Sequence, residues 1–291
     1  MSRGVIHKAL SGFYYITCDG VEYQCRGRGK LRKEGISPLV GDIADFTVTG
    51  TRDGVIDSIA QRKNSFIRPA VANIDVMVFV ASGAVPVTDP FLIDRVSVIA
   101  RSADIELIVC INKTDLDPAR ELYDIYVRSG FRTILTSAAT GEGIPDLLDA
   151  LRGRTGAFTG NSGVGKSSLL NALIPGLNLT TDDVSDRLGR GKHTTRHVEF
   201  FSPCPETYIA DTPGFASFDI EMINNITAEE LAGDFIDFLP YIPDCRFTGC
   251  RHINEPACAV IQAVEEGKIE KTRYESYCRL YDMIKDRKDW E

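Results

Sequence analysis

Apolar positions in the first sixty residues fall into five short runs, at about 4–10, 12–19, 21–26, 40–49 and 54–61. Turn dipeptides punctuate them: Asp19-Gly20, Gly41-Asp42 and Asp53-Gly54. Closely spaced short strands with one longer interval predict a small barrel, and five strands suit an OB-fold. The longer interval, from Gly27 to Pro38, reads as a solvated loop.

After Ser65-Phe66-Ile67-Arg68-Pro69 the texture changes, because apolar strand-sized runs begin to alternate with helical stretches. Runs at 74–81, 105–111, 133–136 and 157–159 each precede an amphipathic segment, at 91–102, 118–129, 144–151 and 166–174. Such alternation predicts βαβ units, hence an α/β domain with a mostly parallel sheet covered on both faces. Ligands of these sheets sit beyond the carboxyl ends of the strands. From about residue 220 the pattern shifts again. Thr227-Ala228-Glu229-Glu230 has the form of a capping box opening a helix, and a helical tail is expected from 255 to 288. Three units follow: a barrel at 1–63, an α/β domain at 64–220 and a small C-terminal helical module at 221–291.

Composition narrows the class. Charged residues at 25% and hydrophobic ones at 43% are ordinary for a folded chain and exclude a disordered or fibrous one. The longest apolar run, 76–81, is far short of the ~18 residues of a membrane helix. The first twenty residues lack the apolar stretch of a secretory signal. The expectation is a cytoplasmic protein with no membrane association. Net charge is −8, unevenly placed: residues 1–63 hold ten Lys/Arg against seven Asp/Glu, so the excess of acid lies beyond them. That balance argues against general nucleic-acid binding but leaves a local patch at Arg26, Arg28, Lys30, Arg32 and Lys33.

The strongest chemical signal is Gly160-Asn161-Ser162-Gly163-Val164-Gly165-Lys166-Ser167, a G-x-x-x-x-G-K-[ST] loop between an expected strand and helix. Its glycines let backbone N–H groups turn onto phosphate oxygens at a helix N-terminus, where Ser168 follows. Lys166 is expected to reach the β- and γ-phosphates and Ser167 to hold Mg²⁺. Asn112-Lys113-Thr114-Asp115 ends another expected strand. A carboxylate at Asp115 accepts from both N1–H and the exocyclic amine of guanine, a pair that adenine does not offer. Asn112 and Lys113 support base and loop. Ser137-Ala138, at the end of a further strand, offers a backbone N–H to the guanine O6.

Asp211-Thr212-Pro213-Gly214 follows a strand-like run. Asp211 suits the Mg²⁺ shell and the Gly214 N–H suits the γ-phosphate. Between it and the phosphate loop lies the basic, glycine-rich stretch Gly189-Arg190-Gly191-Lys192-His193-Thr194-Thr195-Arg196. One threonine, Thr194 or Thr195, can complete the Mg²⁺ site when the γ-phosphate is present; Thr195 joins Ser167 and Asp211 in the candidate set. The order is rotated: in ordinary GTPases the phosphate loop comes first and the base clamp last. Circular permutation is tolerated where termini lie close.

Cys245, Cys250, His252 and Cys258 bring three thiolates and an imidazole within a short stretch. Soft donors in that number predict one closed, structural Zn²⁺ site.

Rotated motifs behind an OB-like barrel and ahead of a Cys3His module resemble the RsgA (YjeQ/YloQ) family of circularly permuted bacterial GTPases. The resemblance includes the linker from Arg68 to Asp75 and Asp211 to Phe215. It implies GTP hydrolysis stimulated by the small ribosomal subunit during its late maturation, with barrel and zinc module gripping rRNA and nucleotide state controlling docking and release. A monomer is expected. Phe215 stands where Ras-like proteins carry a water-orienting Gln. An apolar ring cannot orient water, so His193 is the candidate; it looks like the family's switch histidine. Lys166, Thr194 and Thr195 complete the candidate catalytic set. The alternative is a GTP-gated RNA-binding protein with no role in ribosome assembly.

Overall fold

A computed structural model describes residues 2–66, 69–174, 176–179, 198–211 and 226–286. The N-terminal strands are β1 (Ser2–Leu10), β2 (Phe13–Cys18), β3 (Val21–Gly27), β4 (Ile43–Val48) and β5 (Asp53–Ile59). They pair in the cycle β1-β2-β3-β5-β4-β1, parallel only between β3 and β5, so the sheet closes on itself and leaves no free edge. Ile6, Ile16, Cys25, Ala44, Phe46 and Ile56 fill the interior, supplied by the inward alternate positions of the strands.

The interval after β3 differs from the expected loop. Residues Gly29–Lys33 form a one-turn helix, α1, whose Leu31 is buried against the barrel core. A single leucine among charged neighbours has no period to read, and the helix owes its place to that one tertiary contact.

A short hairpin of β6 (Ser65–Phe66) and β7 (Val71–Ala72) leads into the α/β domain. There follow β8 (Val76–Ser82), α2 (Pro90–Ser102), β9 (Glu106–Asn112), α3 (Arg120–Arg128), β10 (Arg132–Leu135), α4 (Ile144–Leu151), β11 (Thr155–Thr159), α5 (Lys166–Leu173), β12 (Glu199–Phe201) and β13 (Tyr208–Asp211). The order is β10-β9-β8-β11-β13-β12, parallel through β13. β8 is buried along its whole length. Its Val76, Val78 and Val80 pack into the core formed with α4 and α5, and its Met77, Phe79 and Ala81 into the core formed with α2. Each of the Val, Met and Phe side chains among them contributes about 1.5–3 kcal/mol of burial. The antiparallel strand β12 pairs with β13 and, through Lys8↔Glu199, with β1, which joins the barrel to the central sheet.

The C-terminal module also differs from expectation. Thr227 and Glu230 do form a reciprocal cap, with the Glu230 N–H on Thr227 Oγ1 and the Thr227 N–H on Glu230 Oε2, both at 3.3 Å. The cap opens a 3₁₀ turn, Leu231–Asp234, rather than an α-helix. The tail is two helices, α6 (Ala259–Glu265) and α7 (Lys271–Ile284), separated at Gly267, whose φ of +71° ends α6. Among the described residues no helix is long and apolar enough to cross a membrane.

Candidate functional site

Because β8, β9, β10, β11 and β13 run parallel, their carboxyl ends share one edge of the sheet, and the loops leaving them meet there. The phosphate loop links β11 to α5. Gly160 (φ +127°) passes so close to β8 that a Cβ there would fall 2.2 Å from the Val80 carbonyl oxygen. Gly165 (φ +96°) precedes α5, and a Cβ there would fall 2.3 Å from Asn112 Nδ2. Only glycine fits either place. Val164 is buried in the core beside Leu169, which fixes the loop from beneath, while Ser162 and Gly163 are exposed and Ser167 is buried. Lys166 Nζ donates to the carbonyls of Gly160 and Asn161, both at 2.6 Å. Its burial pulls the ammonium down to about 8.

The base-clamp residues leave β9. Asn112 is buried, its Nδ2 donating to the Val164 carbonyl at 2.9 Å and its Oδ1 accepting the Ala138 N–H at 3.1 Å. Lys113 takes φ +66° and donates from Nζ to the Val85 carbonyl at 3.0 Å. Thr114 Oγ1 donates to the Thr136 carbonyl at 3.0 Å. The exposed carboxylate of Asp115 accepts from Ser137 Oγ at 2.6 Å. One oxygen of Asp115 is thereby fixed in orientation.

The Ser137 N–H donates to the Glu142 carbonyl and the Ala138 N–H to Asn112 Oδ1, so a ligand carbonyl at this corner would share the Ala138 donor. What Ser137 brings is its hydroxyl, a contribution the sequence reading missed. A serine beyond the neighbouring strand, 22 positions from the aspartate in sequence, carries no local signature. Asp211 closes β13, which pairs in parallel with β11. His193, Thr194, Thr195 and Gly214 lie outside the described residues.

Cys245, Cys250, His252 and Cys258 are brought together, with all four donor atoms within 4.8 Å of one another. His252 Nδ1 lies 3.5 Å from Cys245 Sγ and 3.3 Å from Cys258 Sγ, and those two sulfurs are 3.9 Å apart. Bonds of about 2.3 Å to sulfur and about 2.0 Å to nitrogen around one tetrahedral ion require donor separations of this size. Burial lowers His252 and raises Cys258, a neutral imidazole beside crowded thiols, which is the chemistry a divalent cation resolves. Tyr274 Oη donates to the His252 carbonyl at 2.9 Å, and Glu255 accepts the N–H groups of Arg251, Ile253 and Asn254. These bonds hold the ligand-bearing loop against α7.

α7 is fastened in turn to the α/β domain. Arg273 is fully buried between the rings of Phe131 and Phe235. Its guanidinium meets Asp94 of α2 at 2.9 Å and Asp237 at 2.6 Å. The sequence reading passed over it, although Arg273 shares the buried stripe of Tyr277, Leu280 and Ile284.

The five basic residues of the barrel, Arg26, Arg28, Lys30, Arg32 and Lys33, are all exposed. Arg28 pairs with Asp57 and Lys30 with Glu34, and the Arg26 guanidinium lies 4.4 Å over the Phe13 ring.

A phosphate loop and a guanine-type base clamp, gathered in rotated chain order on one parallel sheet behind a five-stranded barrel, define a circularly permuted GTPase. Comparison with known proteins agrees. The RsgA GTPase family model matches residues 59–221 and the RsgA N-terminal domain model residues 3–56. The chain is 43% identical over 290 residues to the small ribosomal subunit biogenesis GTPase RsgA of Alkaliphilus metalliredigens (strain QYMF), covering 98% of each chain. It is 42% identical over 299 residues to the protein of that name from Bacillus subtilis (strain 168), covering 99% of each. Among solved structures it resembles YjeQ from Thermotoga maritima, with a TM-score of 0.85 and 35% identity over 99% of both chains. It also resembles YloQ, a circularly permuted GTPase, with a TM-score of 0.83 and 36% identity over 100% of this chain and 97% of that one. The chain belongs to the RsgA GTPase family.

Proposed function

We propose that this chain hydrolyses GTP in the biogenesis of the small ribosomal subunit, with the bound nucleotide controlling its docking and release late in maturation. The observation that carries the GTPase chemistry is the bonding of Asn112 to both the phosphate loop and the Ser137-Ala138 segment. It builds one pocket from three stretches of chain. Asp115, steadied by Ser137, reads guanine. The backbone of 160–165 and Lys166 bind the phosphates, with Ser168 in the first turn of α5. Ser167, Asp211 and Thr195 would hold Mg²⁺, which bridges the phosphates and offsets charge in the transition state. Gly214 meets the γ-phosphate. Phe215 has no group to orient the attacking water, so His193 takes that role, with Thr194 beside it.

The Cys3His cluster is proposed as a structural Zn²⁺ site: four protein donors leave no position for substrate. The units 1–63, 64–220 and 221–291 are a barrel, a GTPase domain and a zinc module. Arg26, Arg28, Lys30, Arg32 and Lys33 contact rRNA phosphates, which makes binding salt-sensitive. The protein acts as a cytoplasmic monomer without a membrane partner. Support for the ribosomal part comes from relatives that match nearly the whole chain and are named for small ribosomal subunit biogenesis.

The test is GTP turnover with and without isolated small subunits, for the native chain and for Lys166→Ala and His193→Ala. Stimulation by subunits that both variants lose is expected. Turnover indifferent to subunits, with no GTP-dependent co-sedimentation, would leave a GTP-gated protein of another pathway.

A further inference from the structure

The loop between β8 and α2, residues 83–89, belongs to none of the nucleotide motifs, yet the sheet order places it among them. β8 lies between β9, which ends in the base clamp, and β11, which ends in the phosphate loop. The chain leaving β8 therefore emerges between the two. On one side the Val85 carbonyl accepts from Lys113 Nζ at 3.0 Å. On the other, Pro86 stands against the phosphate loop, where a Cβ built on Gly163 would meet its Cγ and Cδ at 3.3 Å. At the start of the loop a Cβ on Gly83 would fall 2.8 Å from Ala119 Cβ, just beyond the base clamp.

Packing does not hold this loop in shape. Val85 is 84% exposed and Val87 64%. Its neck does. Thr88 is 3% exposed; its Oγ1 accepts the Ser82 N–H and its own N–H donates to the Ser82 carbonyl, both at 2.9 Å. Ser82 Oγ donates to the Ala84 carbonyl at 2.9 Å, which turns the first half of the loop. The two hydroxyls thus close the loop at the end of a fully buried strand.

We propose that Thr88 is a positioning residue for nucleotide binding: by closing the neck it sets where Val85 anchors Lys113 and where Pro86 braces Gly163. The inference rests on reading the carboxyl edge as a guanine-nucleotide site. The loop steadies one element facing the base and one facing the phosphates, features that GTP and GDP share, so its loosening weakens both ligands alike. His193, the group proposed to orient the attacking water, lies on another segment.

The experiment measures dissociation constants of fluorescent GDP and a non-hydrolysable GTP analogue, with the single-turnover rate of bound GTP. Thr88→Ala strips the acceptor from a buried N–H and is expected to weaken both nucleotides by on the order of tenfold. Thr88→Ser keeps the hydroxyl and is expected to restore native affinity, while bound GTP turns over at the native rate in both. Ser82→Ala, a milder change in the same neck, is expected to weaken both nucleotides by about threefold, and serves if Thr88→Ala does not fold. Native affinity in Thr88→Ala, or in Ser82→Ala should the first not fold, would overturn the inference. So would a Thr88→Ser variant that binds as weakly as the alanine one. A native chain that binds no guanine nucleotide would overturn the reading of the site, and this inference with it.

Discussion

Asn112 Nδ2 donates to the Val164 carbonyl at 2.9 Å, joining residues 52 positions apart in sequence. The other end of the same amide accepts the Ala138 N–H. One buried side chain therefore spans the base clamp, the phosphate loop and the third loop of the site, and it does so in a chain that meets these segments in rotated order. Asn112→Leu removes both bonds and strips them from the buried Val164 carbonyl and the half-buried Ala138 N–H. Affinity for GTP and GDP should fall together by about tenfold to a hundredfold, read by fluorescent-GDP titration. An unchanged affinity would mean that the three segments are positioned without Asn112.

Lys166 gives the site a pH dependence. Burial lowers its ammonium to about 8, and bound phosphate favours the charged form. Below that value the free chain already carries the cation, so binding takes up no proton. Above it the lysine is neutral and must be protonated as nucleotide enters. Affinity for GDP is expected to be flat up to about pH 7.5 and to fall by up to about tenfold per unit above pH 8. Lys166→Gln should bind weakly at every pH, with no such slope. Calorimetric titration across this range checks both.

The buried Arg273 fixes the C-terminal module to α2. Replacing it with Met leaves Asp94 and Asp237 facing a buried space without their cation, which should cost about 3–5 kcal/mol in urea unfolding at neutral pH. Burial already raises the Asp94 carboxyl, and the Arg273 charge is the largest influence that opposes it, ahead of hydrogen bonds from Ser276 and Tyr126. A raised carboxyl destabilises the fold only while ionised, so Arg273→Met should regain stability as pH falls and Asp94 protonates.

Zinc removal should act at a distance from the nucleotide. Elemental analysis is expected to find about one zinc per chain, lost in Cys258→Ala, with protease cleavage appearing within 226–286. GDP affinity should change little, since the base clamp and phosphate loop are carried by strands β8 to β11 of the central sheet. Loss of GDP binding together with the zinc in Cys258→Ala would contradict this separation.

Features with a local period or a fixed spacing were legible in the sequence: the barrel strands, the βαβ alternation, the phosphate loop, the base clamp and the Cys3His set. What escaped it carries neither. α1 rests on Leu31 alone, and the break at Gly267 splits a pattern that is otherwise continuously helical. Thr227 and Glu230 cap as expected, yet the chain then turns into a 3₁₀ segment whose Leu231 and Ala232 are buried. Ser137, Thr88 and Arg273 act through hydrogen bonds to residues on other elements, and no neighbouring position announces them.

Competition for bound fluorescent GDP by GTP, ATP and XTP, in the native chain and in Asp115→Asn, tests the pocket most directly. If Asp115 and Lys166 address the two ends of one guanine nucleotide, GTP alone displaces the probe from the native chain. Asp115→Asn, which presents a donor where guanine needs an acceptor, shifts preference toward XTP. Displacement by ATP as readily as by GTP, unaltered in Asp115→Asn, would contradict the account.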